Sequence, residues 1–328
     1  MKPLAAICLH MDSLFTVARH IERRSVEALQ ADDPCFFAIL DRFLDLAASH
    51  GVPLSLYVIG CDLLWQRHAD RIRAVHEGGH EISSHSYSHP SNLGQLGLDD
   101  IRQEVGLAHD LITAARGGTP PPGFLAPAWC TSPRLLSVLI ERGYRYDASL
   151  FPSFFMPVMQ ALLKMGCDPA SRDGISVFRR DFVGNMVGPR QPYLASERRP
   201  WRHTPPGRDG EHRSILCLPV PTFFPRVGFW HSWAFKVGER TYERMLRSAI
   251  RRSQAFYLAM HPADLFDPAT DSVGQPAAVL KFERMSVGIE RKRRLMALAM
   301  EVIASECQVV RMDHLAEVSR PHLTGEGN

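Results

Sequence analysis

The sequence predicts an α/β fold of parallel βαβ units, with the sheet either doubly wound or closed as a barrel. Three observations predict it. Apolar runs of strand length alternate with longer amphipathic stretches along much of the chain. Strands that alternate with helices of this size imply crossover connections and parallel pairing. The polar residues with chemical potential fall at the ends of the apolar runs, and in β/α barrels chemistry collects at the C-terminal ends of strands. A chain of 328 residues, 45% hydrophobic and 22% charged, can bury a large core, and residues 1–328 read as a single elaborated domain.

In chain order, LAAICLHMD reads as a first strand and FFAILDRFLDLAASHG as a helix stopped by Gly51. PLSLYVIG is a second strand, and a helix around RIRAVHEG leads to a third strand, HEISSH. Helical IRQEVGLAHDLITAA precedes the strand GFLAPAW, and SPRLLSVLIERG precedes the short strand YRYDAS. From about residues 150–213 the alternation fails, and the chain is rich in Pro, Gly, Arg and aromatics, which suggests an insertion or lid. Regular strands resume at ILCLPV and AFYLAMH, before the helix IERKRRLMALAMEVIASE and a last strand near CQVVRM.

The net charge of +3 and pI near 8.5 are too mild to suggest a nucleic-acid partner. Seven scattered cysteines without a C-x-x-C pair suit free thiols in a reducing compartment. His10 and Asp12 interrupt the N-terminal apolar run before a signal-peptide core could form. No apolar run approaches the roughly 20 residues that span a bilayer. The expected location is therefore cytoplasmic, with peripheral contact at the inner face of the membrane as the alternative.

Successive strand residues point to opposite faces, so His10 and Asp12 point the same way at the end of the first strand. His85 and His89 follow the third strand, Pro127 to Trp129 follow another, and His261 ends a late one. Asp12, His85 and His89 would offer zinc two imidazoles and one carboxylate and leave a fourth position for water, as a catalytic site requires. Alone, an H-x-x-x-H pair is more often a solvated loop pair; the strand-end Asp12 and His261 shift the balance. The bland readings are a core histidine for His261 and for His10, and a core tryptophan for Trp129, which reads equally well as a pocket wall.

GHEISSHSYSHP resembles the metal-binding motif of the polysaccharide deacetylases, the NodB-homology family. The resemblance continues in order through CLHMD, PLSLYVIG, GFLAPAW with LIERGYRYDASLFP, and AFYLAMHPADL. It implies a distorted (β/α) barrel with an inserted lid and a divalent metal, usually Zn2+, held by Asp12, His85 and His89. The activity it implies is metal-assisted hydrolysis of an N-acyl group, acetyl or formyl, on an amino sugar. By motif position, His261 is the proton donor to the leaving amine, kept protonated, and the Ala128 N–H, next to Pro127, is the oxyanion donor. Two positions depart from the family: His10 stands where the base is usually aspartate, and Leu125 where an arginine usually orients that aspartate. Either His10 is a neutral base suited to pH 7, or catalysis is lost and the chain is a carbohydrate- or glycolipid-binding protein. A third reading is an amidohydrolase of the same fold acting on a non-sugar amide.

The insertion carries the only sequence clue to the substrate. Its apolar run FPSFFMPVMQALLKMG is followed by Arg179, Arg180, Arg190, Arg198, Arg199, Arg202, Arg208 and Arg213. Arginine beside aromatic surface suits a phosphate-linked glycolipid at a membrane interface, with Arg198 and Arg199 as substrate-binding residues. The layout is loosely similar to the branch of the family with the lipid-linked formamido-arabinose deformylase. The plain alternative is a self-packed lid with solvated arginines.

Overall fold

A computed structural model describes residues 2–16, 33, 35–155, 180–204, 213–275 and 277–320. Most of the apolar half of the expected lid, together with Arg179 and Arg208, lies outside them. Eleven strands are present among the described residues: β1 (Leu4–Met11), β2 (Ser55–Val58), β3 (Glu81–Ser84), β4 (Gly123–Phe124), β5 (Tyr146–Asp147), β6 (Tyr193–Ser196), β7 (Ser214–Cys217), β8 (Thr222–Phe223), β9 (Val227–Gly228), β10 (Phe256–Met260) and β11 (Gln308–Val309). The main sheet runs β10-β1-β2-β3-β4-β5-β7-β6, with β11 also on β1. Every pair in it is parallel except β6 with β7. No hydrogen-bonded ladder joins β6 to β10 among the described residues, so the (β/α) barrel is distorted and open on that side.

Period-two alternation sorts the barrel into an inside and an outside. Along β1, Ala5, Ile7, Leu9 and Met11 pack outward against the helices Phe36–Ser49 and Ile289–Glu306. Ala6 and Cys8 face inward with Tyr57, Tyr146, Leu216 and Tyr257, and His10 continues their face. The inward positions of β3 are polar: Glu81 and Ser83. Ser55, Ser83 and Tyr146 donate to the Glu81 carboxylate, and Tyr57 and Tyr146 share a hydrogen bond of 3.0 Å. The helix Met312–Ser319 closes this end, with Asp313 N–H donating to Glu81 at 2.8 Å. Room for the Tyr146 ring comes from Gly123, where a Cβ would stand 2.0 Å from it.

Two expectations change. GFLAPAW gives only a two-residue strand, because the chain turns at Pro127–Trp129 with Ala128 and Trp129 both in left-handed backbone. The stretch read as an insertion contributes β6 to the main sheet. The six described cysteines are buried and form no disulfide among the described residues, and no described helix is long and apolar enough to cross a membrane.

Candidate active site

Strand ends bring the predicted residues together. His10 and Asp12 come from the end of β1, His85 and His89 from the loop after β3, Trp129 from the turn after β4, and His261 follows β10. The His10 ring lies 4.6 Å from His261, 5.3 Å from His85 and 5.7 Å from Trp129, centroid to centroid. Asp12 Oδ1 is 3.2 Å from His85 Nε2 and 3.4 Å from His89 Nε2, and Asp12 Oδ2 is 4.0 Å from His261 Nε2.

The loop that presents the two histidines is pinned at several points. Ser86 and His89 are left-handed, a strained conformation for such residues. Glu104, from the helix Leu98–Ala115, accepts from Ser88 N–H at 2.9 Å and from its hydroxyl, while Ser86 Oγ accepts from His89 N–H at 3.1 Å. Gly60 and Cys61 N–H donate to the carbonyls of Ser86 and Tyr87.

A cation fits between the three ligand candidates. His85 Nδ1 lies 2.6 Å from the Leu125 carbonyl, so the single N–H of a neutral ring is used there and Nε2 turns a lone pair toward Asp12. Two acceptors 3.2 Å apart repel unless something positive lies between them. Ligand bonds of about 2.1 Å in a tetrahedron put donor atoms roughly 3.4 Å apart, close to the two observed separations. All three donor atoms lie within 4.8 Å of one another.

His10 is 2% exposed, and its Nε2 forms no hydrogen bond. Burial, then the neighbouring His261 and His85, push it well below the ordinary histidine range, so it is a neutral imidazole at pH 7. Burial also lowers His261, outweighing the pull of Asp12. That direction runs against the expectation that His261 stands protonated. Behind it, the fully buried Asp264 accepts from His261 N–H at 2.9 Å and from Arg284 Nη1 at 2.8 Å. Lys292, also fully buried, donates to the carbonyls of Ala263 and Phe266 and so braces the loop after His261. His231 is held by the Tyr242 hydroxyl at 2.9 Å and pushed down to about 4 by burial. The sequence reading missed these supports. Only Asp264, three residues after His261 in HPAD, left a trace there.

Pro127 is buried and starts the turn that presents Ala128 and Trp129, both half-buried. The turn is fixed from below: Ser149 Oγ accepts from Ala126 N–H at 2.7 Å and donates to Asp147, whose carboxyl burial pushes up to about 7. Trp129 packs on Phe151 at 4.9 Å and Trp230 at 6.3 Å, so the ring both walls the histidine cluster and joins the aromatic packing beside it. Arg198 and Arg199 are not brought to the site. They lie exposed in the turn after β6, and Ser196 pairs with Ser214 at the start of β7, so this turn is at the opposite end of the parallel strands.

Residues 28–146 match the family profile described as polysaccharide deacetylase. Over that stretch the chain is similar to the polysaccharide deacetylases. Over 121 residues it is 26% identical to the peptidoglycan deacetylase of Helicobacter pylori, a match covering 36% of this chain and 39% of that protein. The chain thus matches well under half the length of that relative. Among solved structures, one from Mycobacterium smegmatis assigned to the polysaccharide deacetylases superposes with a TM-score of 0.56 at 18% identity, covering 98% of this chain and 92% of the other. PuuE allantoinase superposes with a TM-score of 0.52 at 17% identity over 97% and 91%. At these identities the structures establish the fold, a (β/α) barrel of the deacetylase type. The segments that resemble polysaccharide deacetylase motifs, CLHMD, HEISSHSYSHP and AFYLAMHP, all lie at the ends of strands.

Proposed function

We propose that the protein is a metal-dependent hydrolase that removes an N-acyl group from an amino sugar within a glycan. The observation that carries this reading is the facing of Asp12 Oδ1 and the imidazole Nε2 atoms of His85 and His89, with His10 and His261 beside them. The match of residues 28–146 to the polysaccharide deacetylase profile supports a deacetylase, and the peptidoglycan deacetylase similarity supports a glycan substrate. A bound divalent cation, zinc being the choice that suits two imidazoles and a carboxylate, supplies an acidified water and polarises the acyl carbonyl.

The chain's own residues do the rest. As the water oxygen joins the acyl carbon, its proton passes to His10, which is neutral and has an unused ring nitrogen. The Ala128 N–H, presented by left-handed backbone on a half-buried turn, donates to the oxygen that gains negative charge. The proton on His10 then becomes available to the leaving nitrogen, with His261 4.6 Å away to orient or relay it. The C–N bond breaks, and a carboxylic acid and a free amine leave. Trp129 and Pro127 wall the side on which the sugar enters.

The second reading is a binder that keeps the cleft and has lost turnover, and the histidine at position 10 is what favours it. The glycolipid version of the substrate loses two of its supports, since Arg198 and Arg199 sit at the other end of the barrel. The test is acyl release from N-acetylated and N-formylated amino-sugar oligomers, with simple amides in the same panel and with zinc, cobalt or manganese supplied. Wild-type protein is expected to bind about one divalent ion per chain and release acid; His85→Ala and His89→Ala are expected to lose both. Full metal occupancy in both variants would falsify the site, whereas sugar binding without acid release from any substrate would establish the binder.

A further inference from the structure

The geometry points to an anion-binding subsite on the rim of the cleft, formed by Arg190 and Arg226, that takes a carboxylate or phosphate carried on a sugar next to the acylated one. This rests on the deacylase reading and narrows its substrate to acidic glycans. The aromatic wall of the site leads to it. Trp129 lies 5.7 Å from His10, Phe151 lies 4.9 Å from Trp129, and the next residue, Pro152, accepts from Arg226 Nε at 3.1 Å. The hairpin of β8 and β9 carries Arg226 at its turn and packs against the same wall, since a Cβ on Gly228 would stand 2.3 Å from the Phe151 ring.

The two arginines are tied to the same hairpin, and among the described residues neither is paired with a carboxylate. Arg190 Nε donates to Thr222 Oγ1 at 3.0 Å. Arg226 donates to Pro152 O and Gly188 O, and its guanidinium lies over the Phe154 ring at 5.3 Å. These described partners are all neutral. Burial and then the Arg190 charge lower the Arg226 guanidinium, which means that the like charges act on each other. Arg226 has a structural task, tying the hairpin to the chain after the helix Arg180–Val187. Arg190 brings a second positive charge that this task does not require. Arg190 is anchored on Thr222 of β8, and Arg226, at the turn of the same hairpin, reaches back to Gly188, two residues before Arg190, so two half-buried guanidiniums with N–H groups to spare are gathered on one hairpin, where they could receive an oxyanion. An anion would relieve their repulsion. The aromatic rings between them and His10 leave the breadth of a sugar ring or more, so the anion belongs to a neighbouring unit of the chain rather than to the acylated group.

Wild-type and Arg190→Gln proteins are compared on three N-acetylglucosamine oligomers: one with a uronate neighbour, its methyl ester, and one with a sugar phosphate neighbour. Arg190 has one described hydrogen bond, so its replacement preserves the hairpin. The wild type is expected to show a KM about tenfold lower for at least one charged oligomer than for the ester, and Arg190→Gln to bring that ratio near one. Arg226→Lys, which keeps the charge without the fork, should lower the ratio to an intermediate value. Whichever charged oligomer shows the larger ratio names the group. Equal KM values for the ester and both charged oligomers in the wild type overturn the subsite. If no oligomer is hydrolysed, the deacylase reading fails on its own terms and titration calorimetry of the same oligomers decides this one. A charged preference abolished in Arg190→Gln supports it, and equal or absent binding overturns it.

Discussion

Replacing His10 by alanine removes the proposed base and leaves the rest of the centre in place. The ring's Nε2 has no hydrogen-bond partner, so truncation orphans no buried donor or acceptor that this atom had satisfied. What is lost to stability is packing against His261, His85 and Trp129, on the order of 1–2 kcal/mol, or a few degrees in Tm for a chain of this size. Loss of a positioned base lowers kcat by about 10² to 10⁴, which corresponds to roughly 3–5 kcal/mol of activation free energy. The chemical effect thus exceeds the structural one and can be separated from it. The assay is kcat for acyl release at saturating substrate, beside metal content and a melting curve for the same preparation. Asp12, His85 and His89 are untouched, so metal content should stay close to one ion per chain. A variant with full metal content, a Tm within a few degrees and more than a tenth of wild-type kcat would refute the role of His10. An activity gain in His10→Asp would show instead that histidine is the weaker base in this pocket.

Two buried groups away from the reacting atoms give predictions with opposite pH signs. Burial pushes Asp147 up to about 7, so the folded protein holds a proton that the unfolded chain has released above pH 4, and this contribution to stability is lost as pH rises toward 7. Asp147→Asn keeps an acceptor for Ser149, and chemical denaturation at pH 8 should find it more stable than wild type by up to about 4 kcal/mol, with the gain vanishing below pH 4. An equal deficit at both pH values would mean that the carboxylate itself is needed. Burial lowers Lys292 to about 8, so relative to Lys292→Met the wild type should gain stability as pH rises from about 8 to 10.5, by at most roughly 3 kcal/mol. The neutral amine keeps two N–H groups for Ala263 O and Phe266 O, so the loop after His261 should persist there. A wild-type-minus-variant difference that is flat across that range would exclude a buried charged lysine.

The strand framework was legible because β1, β2 and β10 are short, buried, mainly apolar runs set between amphipathic stretches, and the polar residues at the ends of β1, β3 and β10 mark its mouth. That is how His10, Asp12, His85 and His261 could be placed before their contacts were known. The turn at Ala128 was illegible for the opposite reason. Two consecutive left-handed residues that are not glycine leave no mark in composition, and Ser149, which fixes the turn, is more than twenty positions away. Asp264 and Arg284 meet across 20 residues with no periodicity joining them. The arginines show where reading by composition fails. Arg198 and Arg190 are eight positions apart in one basic stretch, yet β6 runs against its neighbour and carries Arg198 to the far end of the barrel. Arg190, just before β6, remains close enough to act on Arg226.

The two departures from the family pattern are physically one change. An aspartate at position 10 would stand in a pocket with almost no solvent and would need a cation to remain charged, which is the part that an arginine at position 125 would play. In this chain position 125 is a leucine, 1% exposed and packed with Ala6, Cys8 and Tyr57, and position 10 is an imidazole that burial keeps neutral. Neither residue then requires a counter-ion, and a costly buried ion pair is exchanged for packing. The exchange also alters charge at the centre. With a neutral residue at position 10, Asp12 is the one carboxylate among the described residues that face the cation position, so a divalent cation there would keep more of its charge for the acyl oxygen. A weaker base and a more electrophilic centre act in opposite directions on the rate. This is why restoring the carboxylate alone, beside Leu125 and without its arginine, is expected to lower activity: it would add an unpaired buried charge and weaken the electrophile together.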